Sequence, residues 1–135
     1  MASNGNLLIV DDQPDRAQEM ADFLQASGFD VQVVTDVIGK SDFSLGAGSK
    51  FDVILCELDL QGVAWEEARH KLREMDVQVP AILFSEVADV DHMMTALRLG
   101  AHDFFPRPVA DREALLRSIR RCVRHRQLGR QLRES

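Results

Sequence analysis

The sequence lacks the features that mark a membrane or secreted protein. No apolar run approaches the roughly 18 residues that a membrane-spanning helix needs. The first residues, Met1–Gly5, carry no basic side chain and lead into no long apolar stretch, so we expect no secretory signal. The two cysteines, Cys56 and Cys122, lie far apart and predict reduced core residues rather than a disulfide or a metal pair. These absences favour a cytoplasmic domain that makes no contact with a membrane.

Several enzyme motifs are also missing. The chain has no glycine-rich phosphate loop, no nucleophile elbow and no cysteine or histidine pairs at metal-binding spacing. An aspartate-nucleophile phosphatase needs Asp-x-Asp after its nucleophile strand, whereas the corresponding stretch here is Glu57-Leu58-Asp59. A phosphate-handling hydrolase therefore remains an alternative, and we predict a binding module that is not an enzyme.

Charge is distributed unevenly along the 135 residues, whose net charge is −6. Residues 1–106 contain 7 lysines and arginines against 19 acidic residues, whereas residues 107–135 contain 9 arginines against 3 acidic residues. A domain that binds nucleic acid directly would carry basic charge over the whole fold, so we expect no such contact. With 45% hydrophobic residues, the chain is typical of one globular domain, whose basic tail meets an acidic partner or solvent.

Apolar runs alternate with amphipathic segments along the chain, which predicts β-α units and a parallel sheet. The five predicted strands are Leu7–Val10, Val31–Val34, Asp52–Cys56, Val79–Phe84 and Asp103–Phe105. The stretch Val53–Cys56 is apolar throughout, which is typical of a strand buried on both faces.

Helices are predicted between the strands and after the last one. The first has Asp12 as its N-cap and Pro14 in its first turn, and Gly28 ends it. Residues 36–50 and Glu66–Met75 predict the second and third helices. Asp89 and Asp111 are the predicted N-caps of the fourth and fifth helices. In the fourth, Val90, Met93, Met94 and Leu97 form one apolar stripe, and we expect at least one of the two methionines to fill the core.

Polar residues stand at the carboxyl ends of these strands, where ligands gather in an open α/β sheet. Asp11 and Asp12 follow the first strand, and Glu57 follows the third. Such a cluster of like charges is stable only with a cation or a proton among the carboxylates. Ser85 follows the fourth strand and Arg107 follows the fifth, so we expect all five residues to form one site.

With these residues the chain resembles the CheY-like receiver domains of bacterial two-component response regulators. The motifs that carry the resemblance are Ile9–Asp12, Asp52–Glu57, Ser85, Ala96–Ala101 and Arg107–Val109. The resemblance implies a flavodoxin-like, five-stranded parallel sheet of order 2-1-3-4-5 with helices on both faces. The segment Ala96–Val109 is most similar to the receiver of RssB-like regulators.

The resemblance also implies a role for each residue of the site. It places the phosphoacceptor position at Glu57, a metal cluster at Asp11, Asp12 and Asp59, phosphate-binding positions at Ser85 and Arg107, an aromatic switch at Phe104, and a cis bond before Pro108. Weak binding of Mg²⁺ is expected, with the backbone carbonyl of Asp59 as a ligand and its side chain pointing to solvent.

Two residues depart from the family pattern at critical positions. Receivers carry an aspartate where this chain has Glu57 and a lysine where it has Arg107; Gln61 and Ala64–Trp65 depart too. A shift on the order of 1 Å costs about a hundredfold in phosphoryl transfer. A bidentate Glu57–Arg107 pair would replace the contact between phosphoaspartate and lysine and lower the need for Mg²⁺.

We therefore hypothesise a pseudo-receiver that is not normally phosphorylated, in which Glu57 mimics the phosphorylated state and turns Phe104 inward. Neutral drift at these positions and a phosphorylatable receiver with an unusual acceptor are the alternatives. Residues 1–126 are the predicted receiver domain, and residues 127–135 begin a helical linker toward an output domain. The expected partners are proteins: the output domain, a histidine kinase or effector, or a second copy of the chain. They would contact the face of the fourth helix, fifth strand and fifth helix.

Overall fold

Five short β-strands form one parallel sheet in the computed structural model, which describes residues 3–35, 51–59, 79–87, 89–98 and 100–134. The strands are β1 Asn6–Val10, β2 Asp30–Val34, β3 Val53–Glu57, β4 Ala81–Ser85 and β5 Asp103–Pro106. Their order is β2-β1-β3-β4-β5, and every neighbouring pair is parallel. The predicted fold class and strand order are therefore confirmed.

Three helices lie within the described residues: α1 Pro14–Ala26, α2 Val90–Arg98 and α3 Arg112–Glu134. They correspond to the predicted first, fourth and fifth helices. The predicted second and third helices, in residues 36–50 and Glu66–Met75, lie outside the described residues. The departures at Gln61 and Ala64–Trp65 lie outside them too.

The sheet is buried on both faces because successive strand residues point to opposite sides. Leu8 and Ile54 belong to one apolar cluster, which also contains Ala96 of α2. Leu7 and Val53 belong to a second cluster, which contains the inner faces of α1 and α3. All five residues of β3 are buried: the apolar run Val53–Cys56, as its composition predicts, and also Glu57. The buried sheet fixes the position of the strand ends, where the polar residues lie.

Three of the four helix ends described next follow local sequence signals. Asp89 Oδ1 accepts a hydrogen bond from the backbone N–H of His92, and Asp111 Oδ1 accepts one from Ala114, so both predicted caps are confirmed. Gly28, with φ 97°, follows the end of α1 in the left-handed region, which glycine adopts without strain. The predicted cap at Asp12 is wrong. The N-cap residue of α1 is Gln13, whose own side chain makes no capping hydrogen bond.

Helix α2 turns an apolar stripe to solvent. Met93 is 50% exposed and Met94 is 43% exposed, and Val90 and Leu97 have still larger exposed fractions. The expectation that at least one methionine fills the core is wrong, because the small Ala96 is the residue of α2 that is buried against the sheet. The stripe is therefore a surface feature.

Helix α3 continues without a break to Glu134, past the predicted boundary between residues 126 and 127. Leu128 and Leu132 on its last turns are exposed. The division into a domain and a linker stays a prediction. Both cysteines are buried and free, as predicted. Within the described ranges, none of the helices combines the length and the apolar character that a bilayer crossing requires.

Candidate functional site

The parallel sheet brings the polar residues together at the carboxyl ends of its strands. Glu57 ends β3 opposite Phe84, and Ser85 ends β4 opposite Pro106. Backbone hydrogen bonds extend the ladder beyond the strands, from Asp11 N to Val34 O and from Arg107 N to Ser85 O. These bonds hold Asp11 against the end of β2 and Arg107 against the end of β4.

Glu57 and Arg107 form the ion pair that the sequence predicts. Arg107 Nε donates a hydrogen bond to Glu57 Oε2 at 2.6 Å, and the Glu57 side chain is 0% exposed. The guanidinium also lies over the ring of Phe84, 4.8 Å from its centroid. The pair is charge-assisted and shielded from water, so its electrostatic attraction is stronger than that of an exposed pair.

The pair is not bidentate, contrary to the prediction. Among the described residues, none donates a hydrogen bond to Glu57 Oε1. Arg107 Nη2 lies 3.7 Å from Asp11 Oδ2, so the guanidinium divides its charge between two carboxylates while stacking on Phe84. A fork turned toward two acids cannot place both of its donors on one of them.

A second arginine, Arg16, enters the site from the first turn of α1. Its Nε and Nη2 donate to Asp11 Oδ2 and Oδ1 at 2.7 and 2.6 Å. Nη2 also lies 3.7 Å from Asp12 Oδ1 and 3.6 Å from Glu57 Oε2, and Nη1 donates to Glu86 Oε1 at 3.1 Å. Sequence reasoning missed Arg16. The available signal was its position four residues after Asp12 on a predicted helix.

Burial and ion pairing act against each other on the titration of Glu57. Burial raises the pKa of this carboxyl, and the Arg107 and Arg16 guanidiniums oppose the rise. The hydrogen bond to Asp11 raises the pKa of Arg16, which therefore stays charged. The site thus contains a buried carboxylate that depends on two permanent cations.

The side chains as arranged do not fit Mg²⁺. Both oxygens of Asp11 accept hydrogen bonds from Arg16, whose Nη2 also lies 3.7 Å from Asp12 Oδ1. The described part of the chain contains no group of three or more histidine, cysteine, aspartate or glutamate residues arranged to hold a metal. Asp11 Oδ1 accepts from both Arg16 and Gln13, and Oδ2 accepts from Arg16 with Arg107 Nη2 at 3.7 Å, so a metal ion approaching this carboxylate would meet two guanidiniums.

Asp59 turns toward β4, so the expectation that its side chain points to solvent is wrong. Ser85 Oγ donates a hydrogen bond to Asp59 Oδ2 at 2.5 Å, and the backbone N–H of Glu86 donates to the same oxygen at 3.2 Å. His92 Nε2 lies 3.0 Å from Asp59 Oδ1. The hydroxyl that the resemblance assigns to phosphate binding is therefore occupied by a neighbouring carboxylate.

His92 is a further residue that sequence reasoning missed. It lies in the first turn of α2, with Nδ1 2.8 Å from Asp89 Oδ1 and Nε2 on Asp59. The imidazole therefore bridges the N-cap of α2 and the end of β3. Its place three residues after a capping aspartate was the available signal.

We expect His92→Gln to flatten the pH dependence of stability. The hydrogen bond to Asp89, and then the charge of Asp59, raise the pKa of His92 above its ordinary value. The folded state therefore binds this proton more tightly than the unfolded chain. The resulting stability is fully present below about pH 6.5 and is lost as the pH rises through the raised pKa.

Urea unfolding measured between about pH 5.5 and 9 tests this expectation. The wild type should lose more stability with rising pH than His92→Gln does. His102→Gln, which removes an exposed histidine, should keep the wild-type slope. Equal slopes for wild type and His92→Gln would contradict the expectation.

The two remaining predicted positions lie on β5 and directly after it. Phe104 is partly buried and packs against the apolar cluster of Leu8 and Ile54, so it faces inward with part of the side chain exposed. Phe105 faces the other side and stacks on Phe84 with 6.1 Å between ring centroids. The Arg107–Pro108 peptide bond is cis, as the resemblance implies.

Comparison with known families and proteins identifies relatives along most of the chain. The family model described as response regulator receiver domain matches residues 7–120. The chain is 28% identical over 113 residues to the response regulator SaeR of Staphylococcus epidermidis. The matched residues cover 84% of this chain and 48% of SaeR. It is 29% identical over 124 residues to the C4-dicarboxylate transport transcriptional regulatory protein DctD of Pseudomonas aeruginosa, with coverage of 90% and 26%. The chain thus spans about half the length of SaeR and about a quarter of DctD.

Solved structures have the same fold. A response regulator receiver domain protein from Clostridium thermocellum superposes with a TM-score of 0.79 at 16% identity, over 92% of this chain and 98% of the other. NtrX from Brucella abortus, in complex with ATP, superposes with a TM-score of 0.77 at 21% identity, over 96% of this chain and 29% of NtrX. At these identities the similarity shows the fold alone.

Proposed function

This chain belongs to the response regulator receiver domain family, and from that premise we propose that it signals without being phosphorylated. In this proposal Glu57 and Arg107 permanently replace the phosphorylated acceptor and its cation. The domain transmits its state through contacts with other proteins, and it is a binding module rather than an enzyme. It is an atypical member, a pseudo-receiver, of a two-component phosphorelay.

The buried contact between Glu57 and Arg107 is the observation that carries the proposal. The Glu57 side chain has no exposed surface, and its Oε2 lies 2.6 Å from Arg107 Nε. An incoming phosphoryl group needs an accessible carboxylate aligned with the donor, and here the carboxylate is covered by a guanidinium. The hydroxyl of Ser85 is held by Asp59, so the second phosphate-binding position is also engaged.

The exposed stripe of α2 supports a protein-binding role. Val90, Met93, Met94 and Leu97 are 72%, 50%, 43% and 67% exposed on this one helix. An exposed apolar stripe of this kind is typical of a protein contact, and methionine adapts to irregular partner surfaces. We propose that α2, β5 and α3 form the signalling face.

The partners belong to the same proposal. The chain matches less than the full length of its relatives, and DctD is by its name a transcriptional regulatory protein. An output domain following residues 127–135, a histidine kinase or effector, and a second copy of the chain are the proposed partners. From the resemblance of Ala96–Val109 to the receiver of RssB-like regulators, we propose an output domain that is either serine phosphatase-like or protein-binding. Direct binding to nucleic acid and to membranes is not part of the proposal, and the proposed location is the cytoplasm.

Incubation with acetyl phosphate and Mg²⁺ tests the proposal. We expect intact-mass spectrometry to show no phosphorylation of the wild type. The triple variant Glu57→Asp, Arg107→Lys and Arg16→Gln shortens the carboxylate, replaces the fork by a point charge and removes the guanidinium from Asp11. It should gain phosphorylation. Asp59→Asn is the control for phosphorylation at Asp59: any modification that disappears in this variant would have been on Asp59 and not on Glu57. Stoichiometric modification of wild-type Glu57 would overturn the proposal and favour the phosphorylatable alternative.

Neutral drift at the site makes a different prediction for the same samples. If Glu57 and Arg107 no longer matter to the output, Glu57→Ala should leave the amide NMR signals of α2, which lies away from the pair in sequence, unchanged. We expect those signals to shift, because the proposal couples the pair to the signalling face. Arg117→Ala, at an exposed pair with a 4.0 Å separation from Asp111, is the matched control. None of the samples should hydrolyse an aryl phosphate.

A further inference from the structure

Arg16 occupies the centre of the acidic cluster. Pro14 begins α1, and Arg16 follows in its first turn with a side chain that is 15% exposed. The guanidinium turns back to make two hydrogen bonds with Asp11, at 2.6 and 2.7 Å. This bidentate geometry is the strong form of an arginine–carboxylate contact, so the side chain is held in place.

One nitrogen of this guanidinium lies near three carboxylates. Arg16 Nη2 is 2.6 Å from Asp11, 3.7 Å from Asp12 and 3.6 Å from Glu57. Three acids this close to a common point repel one another unless a cation lies among them. Nη2 therefore lies where a cation would compensate all three side chains.

A guanidinium and a divalent metal ion require different ligands and different hydration. Arginine is weakly hydrated, always charged and matched to carboxylates by its planar fork. Mg²⁺ needs close octahedral oxygen ligands and keeps several waters, whereas both oxygens of Asp11 already accept hydrogen bonds from Arg16. Arg16 also reaches Glu86 after β4, at 3.1 Å, so it is anchored on two sides of the cluster.

We infer that the Arg16 guanidinium is the resident cation of this site and that it excludes divalent metal from the acidic cluster. The inference rests on the proposed function, in which the site works without phosphorylation. It adds that the site works without Mg²⁺ as well. The positive charge that compensates Asp11, Asp12 and Glu57 is thus covalently part of the chain and independent of metal concentration.

Titration of the folded chain with MgCl₂ in a calorimeter tests the inference. We expect no saturable binding by the wild type up to about 10 mM, and binding by Arg16→Gln with a dissociation constant on the order of 1 mM. At about 10 mM Mg²⁺, the melting temperature of Arg16→Gln should rise by about 4 °C, while that of the wild type should not change.

Arg112→Gln is the matched control. Arg112 lines the same groove of about 480 Å³ as Arg16, but its guanidinium stacks over the Phe23 ring, 5.0 Å from the centroid. The control makes the same change in charge without uncovering Asp11. Like the wild type, Arg112→Gln should show no saturable Mg²⁺ binding. This result would show that Mg²⁺ binding depends on the position of the lost charge and not on the net charge.

Two outcomes overturn the inference: saturable millimolar Mg²⁺ binding by the wild type, or equal binding by the wild type and Arg16→Gln, including none by either. Arg16→Met, which keeps the aliphatic length, replaces the first variant if that one does not fold. Paramagnetic resonance of Mn²⁺ with the wild type tests the exclusion without any substitution. Phosphorylation of Glu57 would overturn the proposed function, whereas metal binding without phosphorylation would overturn only the role of Arg16.

Discussion

Arg107→Ala should lower the free energy of unfolding by about 3 kcal/mol, because it leaves a buried carboxylate without its nearest cation. Glu57 has no exposed surface, and after the substitution its closest positive group is Arg16 Nη2 at 3.6 Å. Urea unfolding of Arg107→Ala, Glu57→Gln and the double variant measures the coupling between the two side chains. We expect a coupling of about 1 to 2 kcal/mol, since the double variant loses both members of the pair.

The loss caused by Arg107→Ala should also depend on pH. Burial raises the pKa of Glu57 and Arg107 opposes the rise, so removing the guanidinium raises this pKa further. A carboxyl with a raised pKa in the folded state contributes stability below its unfolded value of about 4.3, and this is lost as the pH rises through the raised pKa. Arg107→Ala should therefore be closest to the wild type in acid and fall further behind as the pH increases.

Arg117→Ala is the control for this measurement. Its pair with Asp111 has a separation of 4.0 Å, with both side chains at least 60% exposed. An exposed pair contributes about 0 to 1 kcal/mol, so the control should remain near the wild type at every pH. A loss for Arg107→Ala no greater than that of the control would contradict the electrostatic role given to the buried pair.

Phe84→Ala should cost about 4 kcal/mol, which is the largest single effect that we expect. Phe84 is 1% exposed near the carboxyl end of β4, where its ring stacks on Phe105 and lies 4.8 Å below the Arg107 guanidinium. The substitution leaves a cavity in the core and also removes the surface on which Arg107 rests. Urea unfolding gives the loss, and an unchanged m-value means that the shift in midpoint reflects a change in stability.

Two further variants separate packing from support of the ion pair. Phe84→Leu keeps most of the volume and should cost about 1.5 kcal/mol, part of which is the lost contact with Arg107. Phe23→Ala removes a partly buried ring that carries Arg112 and should cost about half as much as Phe84→Ala. If Phe84→Ala lowered the free energy of unfolding no more than Phe23→Ala does, Phe84 would not stabilise the protein more than a partly buried ring at the surface.

The strand ends are the part of the site that sequence patterns could predict. Val53–Cys56 is apolar at every position, as expected for a strand buried on both faces. The residue that follows this run, Glu57, must therefore lie at the carboxyl end of the strand. The same reasoning placed Asp11 after β1 and Arg107 after β5. Side-chain periodicity in a strand allows little freedom at that point, which is why the contact between Glu57 and Arg107 could be expected.

Side-chain directions in the loops could not be predicted in this way. Asp59 lies two residues beyond β3, where no alternation applies, and the hydroxyl of Ser85 on the adjacent strand turned its carboxylate inward. The cap of α1 was similarly open, because Asp11 and Asp12 are adjacent and chemically alike. Neither aspartate is the N-cap: Gln13 takes that position, and Asp11 accepts a hydrogen bond from the backbone N–H of Gln13 while also binding Arg16.

The amino-acid sequence by itself determined the β-α alternation, the buried strands and the acids at their ends, because hydrophobic periodicity acts locally along the chain. Only the tertiary structure decided which cations reach those acids. Arg16 and Arg107 are 91 positions apart in the sequence and meet at one carboxylate, Glu57, because α1 and the end of β5 converge on the end of β3. A long, flexible side chain settles where the surrounding charges are uncompensated, and that depends on all neighbouring elements at once.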